Sequence, residues 1–482
     1  MIDPKSASIL KSLSVTPGRI PHNFWSHRDV HCVYVTQDTE SVQITAETEA
    51  EGDSFTINGE AAESGGPPHC IEVSVGRNII PVEVTTPGKT ATVYQVRVFR
   101  SYPTPTWKRV AETCPWIPRD SCGELVFNDR MWLFGGYTPE VINDVWSTPD
   151  GINWGQHESI PCESGKITNP VTLVYNDKMW IESVGGKLFS SSDGTAWSIV
   201  TDNAPWKNRG AAAGAVFNGR MWVMGGTGVG GLKTDIWSTS DGVEWILESE
   251  NTPWSGRQLF GMLPVHDGKM WIIGGGICIY HPFKAYNDVW ATADGKNWEK
   301  ITDQAPWPPR IWSSSAVYKN RLWLLTGFQA EPTWNNFDDV WYSSDGGDWN
   351  ELVTETKWSP RHEVSVYVFD DKLWAVGGNA WPLKNDVWYL EIPGLCFLTQ
   401  PIIEEFVNAQ YTYRAKADFN ENAAKVRYRL IESPDWLNID SESGQIRGTP
   451  RDVEDVTVTV EAFDEAGETA RQTYLLHILP FG

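Results

Sequence analysis

The sequence predicts an all-β protein in which a six-bladed β-propeller is flanked by two β-sandwich domains. Three observations carry that reading. A strand–turn–strand pattern recurs six times between about Pro103 and Gly394, and the copies share glycines and tryptophans in register. The segments on either side alternate apolar and polar residues, as half-buried strands do.

The repeat is plainest in RMWLFGGYTPEVINDVWSTPDGINW, Arg130 to Trp154. Six copies align on a basic residue, then Met or Leu, then Trp, at Trp132, Trp180, Trp222, Trp271, Trp323 and Trp374. A dipeptide such as Asn128-Asp129, Asn218-Gly219 or Asp370-Asp371 stands before each. Such residues tolerate the positive φ of a tight hairpin, so two strands, a and b, meet there. Gly-Gly follows b (Gly135-Gly136, Gly185-Gly186, Gly225-Gly226, Gly274-Gly275, Gly377-Gly378, with Thr326-Gly327 the variant), where backbones approach too closely for a side chain. After a variable loop, Asn-Asp-Val-Trp or a relative gives strand c, and an Asp-Gly turn leads to a last Trp in strand d. Four strands per copy make a propeller blade.

The sixth copy stops soon after Trp388 and never reaches its outer strand, whereas Thr106-Trp107-Lys108-Arg109-Val110 reads as a strand d with no a, b or c before it. A propeller over residues 103–394, closed by the N-terminal strand 106–110, follows. It leaves one sandwich at 1–102 and another at 395–482. A chain of 482 residues is in any case too long for a single core.

Charge narrows the function. Lys plus Arg number 39 against 62 Asp plus Glu, a formal charge of -23, which opposes binding to a nucleic-acid backbone or an anionic membrane surface. There is no run of 18 apolar residues, so no membrane insertion is expected, and MIDPKSASILKSLSV lacks the apolar centre of a signal peptide. Seven cysteines, an odd number, argue against a disulfide-built scaffold. Cys32 with Cys70, and Cys114 with Cys122, are placed where pairing is open to them; small buried thiols are the other reading.

On the Gly-Gly after b and the later Trp, residues 103–394 resemble the kelch-type propellers, among them the kelch-like domain of galactose oxidase. Residues 1–102 resemble the bacterial cadherin-like β-sandwich through Ile57-Asn58-Gly59-Glu60, Val75-Gly76-Arg77-Asn78 and Val93 to Val98. Residues 395–482 resemble Ig-like or dystroglycan-type cadherin-like domains through Tyr411 to Ala415, Pro434-Asp435-Trp436-Leu437 and Gly444 to Pro450. These flanking families imply a bacterial cell-surface or extracellular protein, with a cytoplasmic chain the alternative because no signal peptide is seen. Asp418 and Asp464 stand where relatives of the C-terminal domain sometimes bind calcium.

In a four-stranded meander the d–a and b–c connections emerge at one end, and these are the connections that vary here, so the ligand face is expected there. PWIPR, PWKNR, PWSGR, PWPPR and KWSPR put Arg119, Arg209, Arg257, Arg310 and Arg361 at the start of five inner strands, where they should converge on the channel mouth. The second copy departs, with Lys166 at most and a bare b–c turn. Long b–c insertions bring Tyr280, His281 and Phe283 in the fourth copy and Trp334 in the fifth. Guanidinium forks beside exposed rings suit an anionic glycan, and the kelch resemblance points also to an acidic protein segment. The arginines would otherwise be structural bridges to inward carboxylates or carbonyls.

The leading expectation is therefore a non-catalytic binding protein with no cofactor. Galactose oxidase holds copper with two tyrosines and two histidines, its Tyr-His pair at the start of an inner strand; here Tyr280-His281 lies in a b–c loop and His157, His266 and His362 are scattered, so no metal is expected. A carbohydrate-active enzyme of epimerase, mutarotase or oxidase type, with Arg361 and Glu363 as its catalytic candidates, is the first alternative. A structural spacer or assembly subunit is the second.

Overall fold

The computed structural model describes residues 6–20, 24–49, 52–162, 167–183, 185–206, 208–259, 261–279, 281–330 and 333–481, and among them there are strands and no helix. The chain divides into two compact units. One joins Met1–Thr104 to Leu395–Asn420 and Ala424–Gly482; the other is Pro105–Gly394 with Glu421–Ala423.

The central unit is a β-propeller of successive antiparallel meanders. The first sheet runs Gly123–Phe127, Arg130–Tyr137, Val141–Thr148, Gly155–His157, and the second Val171–Tyr175, Lys178–Ser183, Lys187–Ser191, Ser198–Thr201. The third holds Ala213–Phe217, Arg220–Met224, Ile236–Thr239 and Ile246–Ser249, and the fourth Val265–His266, Lys269–Ile273, Val289–Thr292 and Glu299–Thr302. The fifth is Ser314–Tyr318, Arg321–Leu325, Val340–Ser343 and Asn350–Glu351. The last is Ser365–Phe369, Lys372–Asn379 and Leu383–Glu391, with Trp107–Ala111 as its outer strand, Trp107 opposite Leu390 and Arg109 opposite Trp388.

Local chemistry sets these hairpins. Asn128-Asp129 and Asp370-Asp371 sit at φ 48°, 53° and 49°, 54°, the left-handed pair that a two-residue turn requires. The fourth sheet departs from the repeat: its inner strand is broken, with Gly261–Met262 pairing in parallel with Ala213–Phe217 of the third sheet. Pro264, which has no N–H to give a ladder, interrupts it.

Neighbouring sheets lock through the repeated tryptophans. Each strand-b indole donates to the carbonyl five residues back, as Trp132 does to Phe127 at 3.0 Å, and all but Trp323 lay their rings against the Asp-Gly turn of the next sheet. A Cβ on Gly194 would stand 2.1 Å from Trp132, and one on Gly151 2.3 Å from Trp374, so the last sheet packs on the first as the first packs on the second. The asparagine of Asn-Asp-Val-Trp also reaches onward. Asn143 donates to the Ile160 carbonyl at 2.9 Å, Asn287 to Ala305 at 3.0 Å and Asn385 to Cys114 at 2.9 Å. In the fifth sheet Asp338 stands in the asparagine's place and meets Lys357 Nζ at 3.1 Å instead.

The other unit contains two β-sandwiches. In the N-terminal one, Val30–Val35, Thr92–Arg100, Gly76–Thr85, Ser54–Ile57 and Glu60–Ala62 face Leu10–Thr16, Ser41–Thr48 and His69–Glu72 across a core of Val33, Val42, Ile44, Val82 and Val96. In the C-terminal one, the long pair Asp455–Phe463 and Thr469–Leu479 carries Val458, Val460 and Leu476 onto Tyr411 and Ile446 of the opposite sheet. Arg77 ties the two, reaching Glu404 at 3.0 Å and His477 at 2.7 Å. Neither pairing open to the cysteines forms: all seven are free thiols, with Cys32 in the five-stranded sheet and Cys70 in the three-stranded one. Asp418 accepts from the Phe419 N–H, and Asp464 from Asn420 and the Glu468 N–H, so both serve their own turns.

Candidate functional site

The five arginines do not line an open face. Arg119, Arg209, Arg257, Arg310 and Arg361 are each at most 2 % exposed and are held inside their own sheets. Arg119 Nη1 donates to Asp144 Oδ1 at 2.6 Å and to the Gly135 carbonyl at 2.9 Å, while Nη2 donates to Asp144 Oδ2 at 2.9 Å. Asp288, Asp339 and Asp386 hold Arg257, Arg310 and Arg361 by the same fork, and Asp235 holds Arg209. The strand-c indole closes each unit by donating to the same carboxylate, as Trp341 Nε1 does to Asp339 Oδ2 at 2.7 Å. Stacking over Trp116, Trp206, Tyr286, Trp307 and Phe337 covers four of the guanidinium groups. The expectation of a basic centre is corrected accordingly: a fully desolvated arginine that already has its carboxylate has no fork left for a ligand.

What reaches the channel mouth is the residue two past the arginine. Ser121, Ala211, Trp312 and Glu363, with Asn169 at the matching place in the second sheet, adopt positive φ, between 45° and 57°, turning the chain over the rim. Their backbones join in pairs across sheet boundaries: the Asn169 N–H donates to the Ser121 carbonyl, Leu259 to Ala211 and Glu363 to Trp312. In the residue between, Asp120, Gly210, Gln258, Ile311 and His362 form single bridges to the end of strand b, at Tyr137, Thr227, Gly276, Phe328 and Asn379.

On one side of the mouth this rim carries acids. Ser121 Oγ donates to Glu363 Oε2 at 3.0 Å and lies 3.1 Å from Asp120 Oδ1, and Asn379 Nδ2 donates to Asp120 Oδ2 at 2.9 Å. Burial pushes the Glu363 carboxyl well above the usual range, and the nearby Asp120 charge pushes it further; Asp120 is itself raised by burial. Beneath lies a cavity of about 50 Å³ lined by Ser121, Glu124, Asn169, Ser313 and Ser365, where burial lifts Glu124 to about 8. His362 is lowered to about 4 by burial, so it is neutral. Asp120, His362 and Glu363 each bring one ligand atom within 4.8 Å of the others, which makes them the group among the described residues able to hold a metal. Their polar atoms already serve the protein: Asp120 accepts from Asn379, Glu363 accepts from Ser121, and His362 Nδ1 lies 2.7 Å from Asn336 Oδ1.

Above the acids spreads an aromatic platform from the last three sheets. His281 stacks on Phe283 at 4.3 Å, and Phe283 lies 6.0 Å from Trp334 and 6.4 Å from Trp312. Trp312 stacks on His362 at 4.8 Å, and His362 meets Trp381 edge-on at 5.2 Å. Phe328 lies beneath Trp334 and Trp381, which are 54 % and 57 % exposed. His362 therefore belongs to both regions, with its ring in the platform and a nitrogen beside the acids.

Of the residues singled out in the sequence, His281, Trp334 and Glu363 come together here, while Tyr280 and Lys166 lie outside the described residues. The proposed partnership of Arg361 with Glu363 does not form: Arg361 bonds Asp386, Ser359 and Gly377, and Glu363 bonds Ser121. Sequence reasoning missed Trp312, Trp381, Asp120 and Asn379. The signal for the first was available, since the position two past the arginine varies while the arginine does not.

Fold and site define a β-propeller protein with two appended sandwich domains, whose variable loops build an aromatic and acidic mouth. The model of the DUF6242 beta propeller domain matches residues 106–400, more than half of the chain, and the chain belongs to that family. The Cadherin-like beta sandwich domain matches residues 10–101 and the Putative Ig domain residues 399–478. No curated protein matches the chain. A solved structure described as "Structure of YjhT" is similar at 13 % identity and a TM-score of 0.48, over 59 % of this chain and 97 % of that one.

Proposed function

We propose that this is a six-bladed kelch-type propeller, closed by the strand that pairs Trp107–Ala111 with Leu383–Glu391, and that it binds carbohydrate without catalysis on the d–a/b–c face. The aromatic platform carries the reading. Two half-exposed tryptophans, Trp334 packed on Phe328 and Phe283 and Trp381 on Phe328 and His362, present flat apolar faces, and the polar edge beside them, Asn379 and Asp120, offers hydrogen-bond partners for hydroxyls. An anionic glycan or acidic protein segment loses its basis once the arginines are buried. The cadherin-like and Ig-like domains fit a spacer role in an exported, cell-surface protein. The test is a glycan array followed by tryptophan-fluorescence titration of the best ligand: Trp334→Ala should weaken binding at least tenfold, and unchanged affinity would overturn the proposal.

A carbohydrate-active enzyme is the second reading, favoured by one observation: Glu363 and Asp120 face each other with carboxyls raised by burial, the arrangement that general acid–base chemistry uses. Incubating the bound glycan with the protein and analysing the products separates the two.

A further inference from the structure

We infer that the ligand of this face is a sugar with a free amino group, its ring on the Trp334–Trp381 platform and its ammonium at the rim between Asp120 and Glu363. The inference rests on the platform being a carbohydrate site.

Four observations point the same way. The platform and the acids share His362, so a ring stacked on the tryptophans has its edge beside the two carboxyls. The cavity beneath, at about 50 Å³, holds a few water-sized groups and no pyranose ring, so the ring must stay outside and only a small polar substituent can enter. An ammonium is such a substituent; an acetamido group or a carboxylate is larger and brings no positive charge. Among the described residues, the five arginines that would repel a cation are each paired with an aspartate. The formal charge of -23 and the electron-rich ring faces both favour a cation.

The experiment is titration calorimetry of the full chain at pH 7 with glucosamine oligomers, N-acetylglucosamine oligomers and glucose oligomers of equal length. The amino oligomer is expected to bind roughly tenfold or more tightly than the other two, as a charged hydrogen bond gives. Glu363→Gln should erase the preference while keeping the weaker binding. Equal affinity for all three would overturn this inference and leave the platform reading standing. Binding by none, or a Trp334→Ala variant that binds all three as wild type does, would overturn both. If Glu363→Gln does not fold, the comparison of oligomers on the wild-type chain still decides.

Discussion

Arg310 and Asp339 form a two-pronged ion pair within one sheet, Nη1 to Oδ1 at 2.6 Å and Nη2 to Oδ2 at 2.8 Å, joining the start of the inner strand to strand c. The guanidinium also donates to the Thr326 and Pro308 carbonyls. With four of its five N–H donors committed inside the protein and the side chain fully buried, the residue that looked most like a ligand contact is a brace of the blade. Removing the arginine alone strands a buried carboxylate. Arg310→Ala should therefore cost about 3–5 kcal/mol of stability, and Arg310→Lys should recover little of it because an ammonium cannot reproduce the fork. Urea unfolding followed by tryptophan fluorescence measures both; a loss under 1 kcal/mol would contradict the brace.

Gly151 offers a test of how the last sheet meets the first. Its φ of 76° and the Trp374 ring leave no room for a methyl, whereas Gly155, four residues on, has nothing within 4 Å of an added Cβ. Gly151→Ala should destabilise by roughly 1–3 kcal/mol, and Gly155→Ala should stay within about 0.5 kcal/mol. Thermal melts of the two variants side by side give the comparison, and equal midpoints would refute the packing argument.

Glu182 makes stability depend on pH. Burial lifts its carboxyl from 4.5 to about 8, against the smaller downward pulls of the Trp206 indole and of Arg209. Between those values the folded chain keeps a proton that the unfolded chain has released. The contribution is thus fully present below about pH 4.5 and is lost as pH rises through about 8, at a slope near 1.4 kcal/mol per pH unit for one group. Glu182→Gln, which keeps an acceptor for the indole, should flatten the decline between pH 5 and 8 without abolishing it, since Glu124 contributes in the same direction. Denaturation midpoints across that range are the measurement, and an unaltered slope would remove Glu182 from the account.

Trp334 should behave as a surface residue in unfolding and as a hot spot in binding. Trp334→Ala is expected to change stability by less than about 1 kcal/mol and to cost about 2 kcal/mol or more in glycan affinity. A melt that falls as far as that of a Trp323→Ala variant, which removes a fully buried ring, would mean that the platform is core and no binding surface.

The sequence by itself determined the propeller class, the flanking sandwiches, the turns and the strands. Those features are written in local chemistry repeated in register: left-handed dipeptides, a Gly-Gly where backbones meet, an indole every blade. It also contained, unread, the fate of the arginines. In the second copy Ile167 replaces the arginine, and Lys187 and Phe189 replace the aspartate and tryptophan of strand c. A triad that disappears together is a structural unit. Only the tertiary structure decided the site. Glu363, Asn379 and Trp381 of the last blade meet Asp120 of the first and Trp312 of the fifth, and the curvature of the propeller, which no local pattern encodes, brings them to one rim.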